Sequence, residues 1–163
     1  MSIVATLVVG SDGSTSKESR SAGVSSSADR QVFLQRRREV DCIIIGGNTA
    51  RHEPYNRTPV PLVVISRSLV NPVQGNRLAL LWNCSPAQAV EKARRQFGEK
   101  ILIEGGITMI NELIEQGVID QLELSVTPAS GGDERIDWKD LLTKFTHYTS
   151  HEVEGTTFYS AHN

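Results

Sequence analysis

Cysteine is almost absent: Cys42 and Cys84 are the only two in 163 residues. No group of His and Cys has zinc-ligand spacing, so no metal site is expected. Cys42 sits inside an apolar run and reads as a buried, reduced thiol, which makes the cytoplasm the expected compartment. Long hydrophobic runs are missing too. No stretch approaches membrane-spanning length, and the first residues lack the basic start and continuous apolar core of a signal peptide. Neither charge sign dominates: 17 Lys and Arg stand against 19 Asp and Glu, giving a net charge of −2 and a pI near 6.1. Nucleic acid is therefore not an expected partner, and the only basic run is Arg36-Arg37-Arg38. No internal repeat is present. What remains is ordinary for a globular chain, 39% hydrophobic and 22% charged, and the length suits one domain over residues 1–163 with a core of its own.

The chain is organised around Lys100 to Pro128. Ile101, Leu102 and Ile103 form a short apolar run, as expected for a strand buried on both faces. Glu104-Gly105-Gly106 follows at once. Ile107, Ile110, Leu113, Ile114 and Val118 then recur at helical spacing, with Gly117 placed for a left-handed C-terminal cap. Leu122, Leu124 and Val126 alternate as a strand that Pro128 closes. Two glycines between strand and helix let a ligand approach the backbone, and the first amides of the helix suit an anion such as a pyrophosphate. A simple tight turn would use the same glycines. Glu104 ends a buried strand, at the sheet edge where α/β proteins bind ligands.

A second joint of this kind stands earlier. Asp41 leads into Cys42-Ile43-Ile44-Ile45, which ends in Gly46-Gly47 followed by Asn48-Thr49. Two such joints side by side would line both walls of a dinucleotide cleft. Neither matches G-x-G-x-x-G, which disfavours a standard Rossmann arrangement. Around these joints the pattern predicts a strand at Ile3–Val9 and a long serine-rich loop at Ser14–Ser27. Ser26 is expected to start a helix with Asp29 three residues on, as in a capping box. Val32, Phe33 and Val40 are its expected core contacts. Arg36, Arg37 and Arg38 fall near its end, either as a solvated helix terminus or as a phosphate clamp. Arg51 to Pro61 reads as a polar loop, Leu62–Ile65 as a strand ending in Ser66-Arg67, and Leu78–Trp82 as another strand. Ser85 caps a helix with Pro86 at its first position, and Gly98 ends it. Ala129–Asp133 reads as loose chain, Asp137–Phe145 as a short helix, and the last strands as a hairpin turning at Glu154-Gly155. The sum is an α/β sheet, mostly parallel with antiparallel edges.

The stretch Ile101-Leu-Ile-Glu104-Gly105-Gly106, its helix and Gly117-Val118-Ile119-Asp120-Gln121-Leu122 resemble the C-terminal signature of the riboflavin-biosynthesis reductase domain (RibD C-terminal domain). That domain is of the dihydrofolate-reductase-like fold. Gly10-Ser11-Asp12-Gly13, Val24-Ser25-Ser26 with Asp29-Arg30, Asp41 through Thr49, and Glu53-Pro54 are similar to further family segments, so the resemblance covers most of residues 3–128. It implies a three-layer α/β/α architecture with a mostly parallel mixed sheet and an antiparallel C-terminal hairpin.

The same resemblance implies NADPH as cofactor. It places Gly46, Gly47, Thr49, Glu53, Ser66, Arg67, Gly105, Gly106, Ile107 and Thr108 beside the cofactor. Arg37 and Arg57 would hold a substrate phosphate, with Arg36 and Arg38 as alternatives to Arg37. Glu104 would lie at the substrate as a catalytic group, with Asp12 lining the same side. The implied reaction is hydride transfer to a ribosylaminopyrimidine phosphate, ribosyl to ribityl, by a homodimer acting on a small-molecule substrate. Departures concern the substrate side: Ser14 replaces a lysine, Gly23 an aromatic residue, and Asn56-Arg57-Thr58 shortens the Leu-Thr-x-Arg motif. A deaminase half is not expected in these residues, since its zinc motif would need more cysteines than Cys42 and Cys84. A reductase of another small heterocycle, or a homologue that binds nucleotide without turnover, are the alternatives.

Overall fold

The computed structural model describes residues 2–163. In chain order the elements are β1 (Ser2–Gly10), β2 (Ser14–Ser16), a 3-10 turn (Ser21–Gly23), α1 (Ser27–Arg37), β3 (Cys42–Gly46), α2 (Gly47–His52), β4 (Leu62–Ile65) and β5 (Ala79–Trp82). There follow α3 (Pro86–Phe97), β6 (Lys100–Glu104), α4 (Ile107–Glu115), β7 (Gln121–Thr127), β8 (Glu134–Arg135), α5 (Trp138–Thr143), β9 (His147–Val153) and β10 (Thr156–His162). The main sheet has the order β5-β4-β3-β6-β1-β7-β10-β9, and β2 pairs with β8 in a separate ribbon. Two compact units divide the chain: residues 2–5 with Arg36–Asp120, and Thr6–Gln35 with Gln121–Asn163.

In the first unit β3 runs parallel to β4 and β6, and β4 parallel to β5. Ile43, Ile44, Ile45, Leu62, Val63, Val64, Ile101, Leu102 and Ile103 are all fully buried. Continuous apolar runs are the pattern a parallel strand needs when both of its faces are covered. Helix α3 begins where its sequence says it should. The Ser85 hydroxyl accepts from the Gln88 amide, the Gln88 side chain accepts from the Ser85 amide, and Pro86 occupies the first turn. Ala89, Val90 and Ala93 form its buried face. Helix α4 ends on Gly117 at φ 68°, where the amides of Gly117 and Val118 return to the carbonyls of Ile114 and Leu113, as in a glycine-terminated helix.

In the second unit β10 is antiparallel to both β7 and β9. Glu154 and Gly155 turn the β9–β10 hairpin with φ of 50° and 83°, the positive pair that a two-residue turn of matching twist requires. Leu122, Leu124, Ala161, Leu141, Leu142 and Phe145 are buried, and the rings of Trp138 and Tyr159 meet at 5.3 Å. Ser26 accepts from the Asp29 amide at 3.1 Å and so caps α1, while the Asp29 carboxylate takes the Ser25 hydroxyl at 2.6 Å. Strand β9 is exposed at all seven positions.

Three expectations change. Ser14–Ser27 is not bare loop: it holds β2, paired with β8, and the 3-10 turn. The polar segment after Thr49 opens inside α2, which has only Gly47 and Ala50 buried and so no apolar stripe to read. Ala129–Asp133 holds no helix or strand, as expected, and leads into β8. Val32 and Phe33 are half-buried rather than core, because α1 turns Ala28, Asp29 and Arg37 inward instead.

Candidate functional site

The end of β6 carries a buried polar constellation. Glu104 is 1% exposed, and Arg37, the last residue of α1, is 7% exposed. Arg37 donates through Nε to Glu104 Oε1 at 2.7 Å and through Nη2 to Oε2 at 2.6 Å. A two-donor fork on a carboxylate is the strong form of this contact. Tyr55, 5% exposed, donates its hydroxyl to Glu104 Oε2 at 2.8 Å, and its ring lies 4.9 Å beneath the Arg37 guanidinium. Burial and the neighbouring Glu104 charge push the Tyr55 hydroxyl well above the usual phenol range. Burial opposes the charge on Arg37, but hydrogen bonding to Glu104 and the carboxylate's charge outweigh it and hold the guanidinium protonated. Tyr55 is itself anchored. Asn76, also buried, donates from Nδ2 to the Tyr55 carbonyl and to the Thr58 hydroxyl, and accepts from the Leu78 amide.

Arg37 is therefore the member of the Arg36–Arg38 run that turns inward, while Arg38 is exposed. Its side chain grips Glu104, not a site open to solvent. The two residues expected to face the substrate side face each other.

The glycine joints flank this constellation. Gly105 and Gly106 have φ of 68° and 79°, a region that suits only glycine at low strain. A Cβ on Gly105 would stand 3.1 Å from Thr49 Cγ2 and 3.2 Å from its Oγ1. Thr49 of the first joint thus lies beside Gly105 of the second. Both helices that leave these joints, α2 and α4, start on glycine with no side chain capping them. By contrast α3 and α5 start on Ser85 and Asp137, whose side chains accept from the first turn. Open amides beside bare Cα atoms fit a close-lying anionic group such as a dinucleotide pyrophosphate. On the first joint, Ser66 Oγ lies 3.0 Å, and Arg51 Nη1 3.2 Å, from where a Cβ on Gly47 would be.

The remaining expected residues fall as follows. Ile107 is half-buried and Thr108 exposed at the start of α4. Glu53 follows α2 and is half-buried, and Arg57 and Arg67 are exposed. Asp12 is engaged within its own turn. It accepts from the Ser14 amide and hydroxyl, the Gly131 amide and Arg135 Nε. The Ser14 hydroxyl and then the Gly131 amide hold its carboxyl well below the usual range. In this structure Asp12 clasps the β2–β8 ribbon rather than offering a free carboxylate. Sequence reasoning missed Tyr55 and Arg51, which sit in the stretch read as a polar loop, and Asn76, which lies between two expected strands. Among the described residues no group of His, Cys, Asp and Glu could hold a metal, and no helix is long and apolar enough to cross a membrane.

A mixed sheet, parallel through β5-β4-β3-β6 and antiparallel at its C-terminal strands, defines the class: an α/β protein of the dihydrofolate-reductase-like fold. The family model of the RibD C-terminal domain matches residues 1–151, and the chain belongs to that family. Comparison with curated protein sequences gives no match. Among solved structures, a pyrimidine reductase-like protein of Corynebacterium diphtheriae superposes with a TM-score of 0.71 at 16% identity, over 99% of this chain and 91% of that one. A Shewanella protein with a provisional riboflavin-biosynthesis name gives 0.68 at 15% identity, over 99% and 98%. A Thermotoga maritima diaminohydroxyphosphoribosylaminopyrimidine deaminase/5-amino-6-(5-phosphoribosylamino)uracil reductase gives 0.71 at 12% identity. The chain matches 56% of that bifunctional protein's length, with 99% of its own covered. These likenesses bear out the expected fold.

Proposed function

We propose that the chain is an NADPH-dependent reductase of the riboflavin pathway, one domain over residues 1–163, acting on a ribosylaminopyrimidine phosphate. The observation that carries this reading is the meeting of the two glycine joints, Thr49 against Gly105, beneath helices whose first amides lack side-chain caps. Gly46, Gly47, Thr49, Glu53, Ser66 and Arg67 would hold one part of the dinucleotide, and Gly105, Gly106, Ile107 and Thr108 its pyrophosphate. A bound nicotinamide supplies the hydride, and the protein supplies orientation and field. Arg57, exposed and carried by the loop after α2, would meet a substrate phosphate. Glu104, held in one orientation by Arg37 and Tyr55, would fix a substrate hydroxyl at the end of β6. Family membership and the fold support this assignment.

A second reading has its own observation. The Arg37 fork is closed on Glu104, so the phosphate grip that the family resemblance assigns to Arg37 is engaged elsewhere. That favours a small heterocycle bound without this grip. Strand β9, exposed along its length and free of Lys and Pro, is an unprotected sheet edge and supports a homodimer through the C-terminal hairpin. Both cysteines are free thiols, in keeping with the cytoplasm.

The test is titration of the purified protein with NADPH and NADH by nicotinamide fluorescence. NADPH oxidation is then followed with 5-amino-6-(5-phosphoribosylamino)uracil and with its dephosphorylated form. Binding with turnover of the phosphorylated compound alone supports the first reading. Equal turnover of both supports the second. No binding of either dinucleotide overturns the cofactor assignment.

A further inference from the structure

Asn76 ties together two segments of the first unit that would serve different ligands. Residues 53–61 and 66–78 hold no helix or strand. The first segment carries Tyr55, which donates to Glu104, and Arg57, expected at a substrate phosphate. The second opens with Ser66 and Arg67, expected at the dinucleotide. Chain without a helix or sheet ladder takes its shape from side chains that bond its backbone.

Asn76 does so with both ends of its amide. Its Oδ1 accepts from the Leu78 amide at 2.9 Å, which fixes the side chain against its own segment. Its Nδ2 crosses to the other segment and donates to the Tyr55 carbonyl and to the Thr58 hydroxyl, each at 3.0 Å. Thr58 passes its own proton to the Val60 carbonyl at 2.8 Å, so its oxygen is left to accept. Asn76 is 6% exposed, and a bond lost at a buried position is not made good by water. Apolar packing runs alongside. Val73 of the second segment and Tyr55 of the first are buried in one cluster with Ile43, Ile45, Leu62 and Leu102. The Asn76 amide donates to the Val73 carbonyl at 2.9 Å and so joins the clasp to that packing.

We propose that Asn76 is a positioning residue that couples the two ligands, so that dinucleotide and pyrimidine each tighten the binding of the other. The inference rests on the reading above for what each segment binds, and adds what joins them. A ligand that holds the segment opening at Ser66 presents the Asn76 amide already in place. Tyr55 and Thr58 then settle on it at less cost in chain entropy, and Glu104 keeps the Tyr55 hydroxyl. The effect runs equally in reverse, because coupling between two binding sites is reciprocal.

Calorimetry tests this by measuring the dissociation constant of 5-amino-6-(5-phosphoribosylamino)uracil with and without saturating NADP⁺, the oxidised form, so that no turnover intervenes. The proteins are wild type, Asn76→Asp, Thr58→Val and Asp137→Ala. Asn76→Asp keeps the acceptor for the Leu78 amide and loses both donors. Thr58→Val removes one acceptor with little change of shape, and reads the coupling even where Asn76→Asp fails to fold. Asp137→Ala removes the cap of α5 in the second unit and is a control for lost stability alone. Wild type should bind the pyrimidine at least about fivefold more tightly with the dinucleotide present. Asn76→Asp should bring that factor below about twofold, Thr58→Val should fall between, and Asp137→Ala should match wild type. A wild-type factor in Asn76→Asp or in Thr58→Val overturns the proposal, as does an equal loss in Asp137→Ala. A wild type that binds both ligands independently overturns it and leaves the reading above standing. A wild type that fails to bind either one of them overturns that reading and the proposal together.

Discussion

Arg37 and Glu104 lie 67 positions apart and meet in a buried, two-donor ion pair, with Nη2 at 2.6 Å from Oε2. The pair joins the end of α1 to the end of β6, and Tyr55 closes its open side. Removing one partner of such a pair leaves a buried charge without compensation, which costs about 3–5 kcal/mol. Arg37→Met and Glu104→Leu should each lose about that much in urea unfolding, and the double variant should regain most of it, since an apolar replacement of the whole pair is often near neutral. Single losses that simply add would show that the two residues act independently. The double variant also separates architecture from chemistry. If it is stable and still turns over substrate, Glu104 is a strut and not a group at the reacting centre.

Tyr55 gives the fold a sensitivity to alkali. Its folded-state pKa is raised, first by burial and then by Glu104, whereas an unfolded tyrosine titrates near about 10. Its contribution is therefore complete below that value and falls as pH rises above it, because only the unfolded chain sheds the proton readily. Urea midpoints measured from pH 7 to 11 should decline in the upper part of this window. Tyr55→Phe should start lower at pH 7 by about 1–3 kcal/mol, with a buried acceptor on Glu104 left short of a donor, and should show a flatter alkaline limb. A limb as steep as wild type would assign the loss to other groups.

Gly105 and Gly106 share a left-handed backbone but differ in surroundings. A Cβ on Gly106 has nothing nearer than 3.9 Å, whereas one on Gly105 meets Thr49 at 3.1 Å. Gly106→Ala should cost about 1–2 kcal/mol, the conformational penalty alone. Gly105→Ala should cost more, because Thr49 must move as well, and should weaken dinucleotide binding further than Gly106→Ala does. Equal stability of the two variants would show that the joint relaxes freely.

Asp12 carries an acid-side counterpart. Its folded carboxyl is held low by the Ser14 hydroxyl and the Gly131 amide. Its contribution is present above the unfolded value near about 4 and fades as pH falls below it. Asp12→Asn should leave the protein less stable at pH 7 and narrow its difference from wild type toward pH 2, as followed by thermal melts. A difference that stays constant with pH would remove the charge from the explanation.

Much of the frame was legible. Ile101–Ile103, Cys42–Ile45 and Leu62–Ile65 announce themselves because central parallel strands need uninterrupted apolar runs. The Ser85-Pro86 start, the Ser26–Asp29 cap and the Gly117 stop are short-range chemistry written in adjacent residues. What stayed hidden depends on distant partners. Helix α2 has no apolar face of its own, and β2 and β8 are three and two residues long, so each is defined only by the other. Glu104 and Arg37 are both expected at a site, but nothing local shows that they bind each other. Tyr55 in a proline-rich polar segment looks like surface until Asn76 and Glu104 enclose it.

The placement of β1 between β6 and β7 has a consequence during synthesis. The strand Ser2–Gly10 leaves the ribosome long before Lys100 opens β6, and longer still before Gln121 opens β7. Until both have emerged, an apolar segment has no native neighbour and its edges stay open to other chains. Pairing across such a span also makes folding slow. Yield in a cell should thus depend on the rate of translation and on chaperones that shield Ser2–Gly10 in the interval.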